Sequence, residues 1–228
     1  ECGLLSLIVP IITSGSISGE RERQTLDIML TTPVSPFSIA LGKLGSAMMV
    51  VMVYMITSIP VMAIAFVLGG MSWWALFGLF GMLLYIGIYV GSVGVFCSSV
   101  VKKSVLATIL TIVIGVAIIT ITFVVLMVSI ATKSYGATLH NANTITIGAT
   151  PMIMMLNPYS PFVDFFIRTM SSNSLHDWIK ELGTLTSGYS KIYKAWIPIS
   201  VVMNLLVALG FLKLAARNIA VTRNKKRK

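Results

Sequence analysis

Charged side chains are scarce in this chain of 228 residues, of which 11% are charged and 56% are hydrophobic. Soluble globular domains carry about 25% charged residues, so the composition argues against a water-soluble fold. The high hydrophobic content also excludes intrinsic disorder. The two cysteines, Cys2 and Cys97, lie far apart in apolar runs. They therefore provide neither a disulfide framework nor a cysteine metal site.

The sequence also lacks the motifs of catalysis and of nucleotide binding. Its two histidines, His140 and His176, are isolated and belong to no metal-binding pattern. Gly42-Lys43 lacks the upstream glycine and the following Ser or Thr of a P-loop. We therefore predict that the chain is not an enzyme and contains no catalytic residue, no metal ligand and no cofactor of its own.

Long stretches of the chain contain no charged residue. Four strongly apolar stretches contain no charged residue, namely 2–19, 44–101, 104–132 and 195–212, and the proline-containing stretch 134–163 is also uncharged. A membrane-spanning helix needs about 20 mostly apolar residues, so the longest stretch accommodates two spans, with a break at Gly69-Gly70. These runs predict an all-α, polytopic transmembrane helical bundle. Its five spans are expected at about 3–18, 37–68, 73–100, 104–131 and 196–214.

Lysine and arginine predict how the spans are oriented. If the spans alternate in direction, 12 of the 17 basic residues fall on one side, including the basic tail 213–228. Basic residues accumulate on the cytoplasmic side of membrane proteins. We therefore expect a multi-pass cell-membrane protein with a cytoplasmic C-terminus. The tail is expected to contact anionic lipids, and no nucleic-acid partner is predicted.

The segment 133–194 is then predicted to be extracellular. A further crossing within 134–163 would place the basic tail outside, and Pro151, Pro158 and Pro161 would interrupt its helix. A re-entrant or surface-lying segment fits better. We expect outer interfacial helices there, one that starts at Ser160-Pro161 and one at 174–183.

The loop 19–36 carries the densest charge in the chain. Glu20 and Glu22 are expected to open a short helix, because carboxylates are favoured at the positive end of a helix dipole. Leu26 and Met29 begin an apolar stripe along this helix. The pattern predicts an amphipathic helix along the cytoplasmic face.

Two interpretations of that helix remain open. A helix that only attaches two spans to lipid headgroups would favour Lys and Arg without acidic residues. The alternation Glu-Arg-Glu-Arg at 20–23 favours docking to another protein. Ser35-Pro36 predicts the start of the next helix, with serine as the N-cap.

Three segments around this loop resemble a known family. GERERQTLD at 19–27, followed by LTTPVSP at 30–36 and GKL at 42–44, closely resembles the signature of type 2 ABC transporter permeases. Most members have glycine and glutamate where this chain has Gln24 and Asp27. In that family the loop follows the second of six spans and contains a coupling helix that rests on the ATP-binding subunit.

The resemblance implies that residues 1–228 form a single permease domain, with spans two to six of a probable six. It implies two partners, an ATP-binding cassette subunit that holds ATP and Mg, and a second permease subunit in a homo- or heterodimer. The implied coupling helix covers about 20–31. The residues expected to dock on the ATP-binding subunit are Glu20, Arg21, Glu22, Arg23, Thr25, Leu26 and Asp27.

The function implied is that of the membrane-spanning permease subunit of an ATP-driven transporter that works by alternating access. Export is the usual direction in the family. An ion-coupled transporter would need ionisable groups within the spans, and the predicted spans two to four contain none past Lys43. The alternative is a polytopic assembly or sensor protein without transport activity.

Small residues predict where helices approach each other. Gly87 and Gly91 form a GxxxG pattern, which Gly94 and Ser98 continue. We interpret this face as tight helix packing within the chain, and a homodimer seam is the other interpretation. The serines within 14–18 could form hydrogen bonds between helices.

Overall fold

The computed structural model describes residues 2–25, 34–68, 73–136, 155–170 and 196–227, which form six α-helices. They are α1 (Cys2–Glu22), α2 (Pro36–Leu68), α3 (Trp73–Val100), α4 (Ser104–Gly136), α5 (Ser160–Met170) and α6 (Trp196–Arg227). All except α5 contain a segment long and apolar enough to cross a membrane, which makes five candidate spans. The predicted all-α fold with five spans is therefore confirmed in the described part of the chain.

The end of α1 differs from the prediction. The first helix does not end near residue 18 but continues to Glu22, so Glu20 and Glu22 close this helix and do not open another. The predicted start of the coupling helix at residue 20 is therefore wrong. Glu20 and Glu22 are stabilised at this end of α1 because their carboxylates have partners on neighbouring helices. The rest of the predicted coupling helix, at 26–31, lies outside the described residues.

The starts of two other helices agree with the predicted capping residues, whereas the ends of two helices lie beyond the prediction. Ser35 caps α2 as predicted, because its Oγ accepts a hydrogen bond from the Ser38 amide at 3.1 Å. The helix expected from Ser160 is present as α5. Helices α4 and α6 continue beyond their predicted ends, to Gly136 and Arg227. Lysine and arginine favour helices, so the first charge marks the end of the apolar run and not the end of the helix.

The chain divides into two compact units, residues 1–115 with 205–228, and residues 116–204. In the first unit α1 packs against α3 and α2. Within its apolar window, 67% of α3 is buried inside the protein, against 11% for α4. Helix α3 is thus the central helix of this core, and its neighbours shield it from the surroundings.

In the second unit, the segment before α5 is bonded to the first part of α6. The carbonyl oxygen of Met155 accepts hydrogen bonds from Ser200 Oγ at 2.8 Å and from Asn204 Nδ2 at 2.9 Å. Asp164 is buried and pairs with Arg168 one turn later in α5. The predicted second outer helix, at 174–183, lies outside the described residues.

Candidate functional site at the end of α1

The three glycines predicted to pack lie on the side of α3 that faces α1 and α2. A Cβ atom at Gly94 would lie 2.9 Å from Thr13 Cβ of α1, and one at Gly91 would lie 2.6 Å from Leu44 Cδ1 of α2. At Gly87 the nearest atom would be at an ordinary 3.5 Å. The face at Gly91 and Gly94 is thus covered by helices of the same chain. The close approach of α1 to α3 depends on the missing side chain at Gly94.

Hydroxyl groups continue this contact toward the end of α1. Ser98 Oγ of α3 accepts hydrogen bonds from the amides of Ile17 and Ser18, both at 2.9 Å. Ser14 Oγ and Thr108 Oγ1 of α4 are 2.6 Å apart and share a hydrogen bond. We call Ser14, Ser18, Ser98 and Thr108 the hydroxyl seam. It fixes the position of α1 against α3 and α4 just before the charged turn.

Helix α1 ends in a Schellman motif. The Thr25 amide donates to the carbonyl oxygen of Glu20 at 3.0 Å, and the Gln24 amide donates to that of Arg21 at 3.2 Å. Gln24 has a φ of 60°, in the left-handed region that favours glycine. Glycine would adopt this conformation without a steric penalty. Here glutamine adopts the same conformation.

Glu20 connects the last turn of α1 to α2. Its Oε1 forms an ion pair with Lys43 Nζ, and both side chains are about one quarter exposed, at 27% and 26%. Its Oε2 is buried and has no hydrogen-bond partner among the described residues. The ion pair connects the two helices that flank the loop.

Arg21 connects the same turn to the end of α3. Its Nη2 donates to the carbonyl oxygen of Ser99 at 3.3 Å, and its Nη1 lies at 3.5 Å from that of Val101. The last carbonyls of a helix have no partner within the helix and form the negative end of its dipole. A guanidinium group at this position therefore compensates the end of α3.

Glu22 connects the turn to the start of α4. Its Oε1 accepts a hydrogen bond from the Ser104 amide at 3.0 Å, and its Oε2 accepts one from Ser104 Oγ at 2.9 Å. The first amides of a helix have no partner within the helix and form the positive end of its dipole. Glu22 thus serves as an N-terminal cap for α4, supplied by another helix. We call Glu20, Arg21 and Glu22 with their partners the charged junction.

The seven predicted docking residues fall into three groups. Glu20, Arg21 and Glu22 are engaged within the chain, in the charged junction. The side chains of Arg23 and Thr25 are exposed. Leu26 and Asp27 lie outside the described residues. Docking on a partner stays a prediction for all seven.

Sequence reasoning missed the partners of the charged turn, namely Lys43, Ser99 and Ser104. A signal was present for Ser104, because serine after a short polar turn is typical of a helix start. For Ser99 there was none, since its backbone carbonyl is the acceptor, and any residue carries one.

Comparison with known proteins gives one clear result. A family model described as ABC-2 family transporter protein matches residues 3–216, which is nearly the whole chain. No curated protein matches the chain in sequence.

Proposed function

Because the chain belongs to the ABC-2 family of transporter proteins, we propose that it is the permease subunit of an ATP-driven exporter. Membership of this family makes the chain a membrane-spanning permease component of an ABC transporter. We propose further that ATP and Mg are bound by a separate ATP-binding cassette subunit, and that a second permease subunit completes the translocation path.

The end of α1 is the observation that carries this proposal. Two exposed side chains, Arg23 and Thr25, lead from α1 into the loop 26–33, and the same end of α1 contacts α2, α3 and α4. A partner that binds this loop reaches four spans through one attachment point. This arrangement suits the transfer of a mechanical stroke from a motor subunit to the membrane helices.

The proposed mechanism uses that attachment. Closure of two ATP-binding subunits would displace the loop and tilt α1 and α2, and so switch the path between two permeases from one side of the membrane to the other. The docking contacts would fall on Arg23, Thr25, Leu26 and Asp27. Glu20, Arg21 and Glu22 would orient this surface, because their own side chains bind neighbouring helices.

Purification of the tagged full chain from its native membranes tests the proposal. We expect a Walker-motif ATPase to co-purify and to hydrolyse ATP in a vanadate-sensitive manner. Arg23→Glu should reduce co-purification at unchanged permease yield, because it reverses an exposed charge beside the loop. Lys102→Glu is the matched control, since it reverses an exposed charge in the α3–α4 turn. Absence of any ATPase from the purified complex would overturn the proposed function.

The predicted orientation has its own test. With Cys2 and Cys97 replaced by alanine, Lys103→Cys introduces one exposed thiol into the α3–α4 turn. A membrane-impermeant maleimide should label this thiol in inverted vesicles and not in intact cells. Labelling in intact cells would place this end of the helices outside and contradict docking to a cytoplasmic ATPase.

A further inference from the structure

Three consecutive residues of α1 contact three different helices. Glu20 pairs with Lys43 of α2, Arg21 donates to carbonyls at the end of α3, and Glu22 accepts from Ser104 of α4. Successive residues of an α-helix point about 100° apart, since 3.6 residues complete a turn. One turn of α1 therefore holds three helices on different sides.

The order of the charges fits the ends that they contact. Helices α3 and α4 are joined by the short turn 101–103, so the negative end of one dipole lies beside the positive end of the next. Arg21 and Glu22 present a positive and a negative group to these two ends in the matching order. The pair therefore recognises the α3–α4 turn as a unit, through backbone groups and one serine.

The hydroxyl seam prevents α1 from sliding over this contact. Ser98 binds the amides of Ile17 and Ser18, about one turn before Arg21 and Glu22. The packing at Gly94 holds α1 against α3 one further turn away. The seam thus fixes the register of α1 on α3 and keeps Arg21 and Glu22 aligned with the α3–α4 turn.

We propose that Arg21 and Glu22 are positioning residues that carry a displacement of the loop 26–33 to the α3–α4 turn. In this route the stroke moves α3 and α4 as well as α1 and α2, the two helices that the loop joins covalently. The inference rests on the proposed function, because the displacement comes from the ATP-binding subunit. It assigns these two residues to transmission within the chain and not to docking.

Two thiol reporters test this route in the complex purified from native membranes. In the background without native cysteines, Val34→Cys reports on the exposed end of the loop before α2, and Lys103→Cys reports on the α3–α4 turn. The rate of maleimide labelling is measured with and without Mg and a non-hydrolysable ATP analogue. With the charged junction intact, nucleotide should change the labelling rate at both reporters.

The substitution Arg21→Ala combined with Glu22→Ala should abolish the nucleotide response at Lys103→Cys and preserve that at Val34→Cys. Ser104→Ala, which removes a Glu22 partner from the α4 side, should weaken the response at Lys103→Cys alone. Glu20→Ala is the matched control, since it breaks the link to α2 and should leave the response at Lys103→Cys intact. A folding defect would instead reduce ATPase co-purification and affect both reporters.

Each remaining outcome is decisive. An undiminished response at Lys103→Cys in the double variant overturns the inference and leaves the proposed function standing. Loss of both responses at normal ATPase co-purification also overturns it, because the displacement would then be lost before it reaches the loop, and not between α1 and the α3–α4 turn. If nucleotide changes neither reporter in the intact junction, the proposed function fails and the inference fails with it.

Discussion

The hydroxyl seam and the charged junction both hold α1 against its neighbours, but they do so with opposite chemistry. In the seam, neutral hydroxyl groups bond to backbone amides or to each other, and the three serines are buried while Thr108 is half-buried. In the charged junction, Glu20 forms an ion pair with a lysine, and Arg21 and Glu22 compensate the ends of α3 and α4. The side chains are partly exposed.

The difference follows the surroundings of each region. Within the apolar part of a span an unpaired charge is costly, so close backbone contact and neutral hydrogen bonds serve for packing. Beyond that part water solvates charged groups, and these can recognise helix dipoles. One helix thus changes its mode of contact within two turns. We therefore expect the seam to determine stability and the charged junction to determine communication.

The largest effect on stability is expected at Gly94, next to the seam, where α1 approaches α3 closely. Gly94→Ala places a methyl group 2.9 Å from Thr13 Cβ, and overpacking of this kind costs about 1–3 kcal/mol. Thermal unfolding of the purified permease in detergent should show the loss. In the matched control Gly81→Ala, the added methyl meets nothing within 4 Å, so stability should be equal or higher. Equal effects of both substitutions would contradict the packing role of Gly94.

A smaller loss is expected when the seam loses its shared acceptor. Ser98→Ala removes the oxygen that binds the amides of Ile17 and Ser18, and side-chain hydrogen bonds between membrane helices contribute about 0.6 kcal/mol on average. The midpoint of thermal unfolding should fall and should not depend on salt. Ser6→Ala, which removes an exposed hydroxyl bonded within its own helix, should leave the midpoint unchanged.

The Schellman turn offers a gain in stability of similar or smaller size. Gln24→Gly removes the cost of a side chain in the left-handed conformation, which is about 1 kcal/mol, offset in part by the entropy of glycine. The midpoint of thermal unfolding should rise. Arg23→Gly, at the preceding position where no positive φ is required, should lower it. A decrease with Gln24→Gly would mean that the turn does not limit the end of α1.

The charged junction should contribute least to stability, because Glu22 is exposed to solvent and salt. Glu22→Gln should lower the unfolding midpoint slightly at low ionic strength, and the difference should vanish as salt is raised. The combination with Ser104→Ala should be less than additive, since both substitutions weaken one contact. An effect that persists in high salt would show that the Glu22 carboxylate is shielded from solvent, and would contradict its exposure.

Sequence patterns located most of the helices because a helix that crosses the membrane needs a run of about 20 mostly apolar residues. Charge-free runs gave the position of α3 at 73–100, and the cap at Ser35 gave the start of α2. The predicted end of α1 near residue 18 is too early, because the first charged residue marks the end of the apolar run and not the end of the helix. A helix can continue into charged residues when those residues find partners, and such partners are distant along the chain.

By itself the sequence determined the position of the five candidate spans in the described residues and the family of the protein, because hydrophobic length and a contiguous motif are local properties. Only the tertiary structure decided that Glu20, Arg21 and Glu22 bind three separate helices of their own chain. Their partners are backbone groups and residues some 20 to 80 positions away, and packing of α1 against α3 is what brings those groups within hydrogen-bond reach.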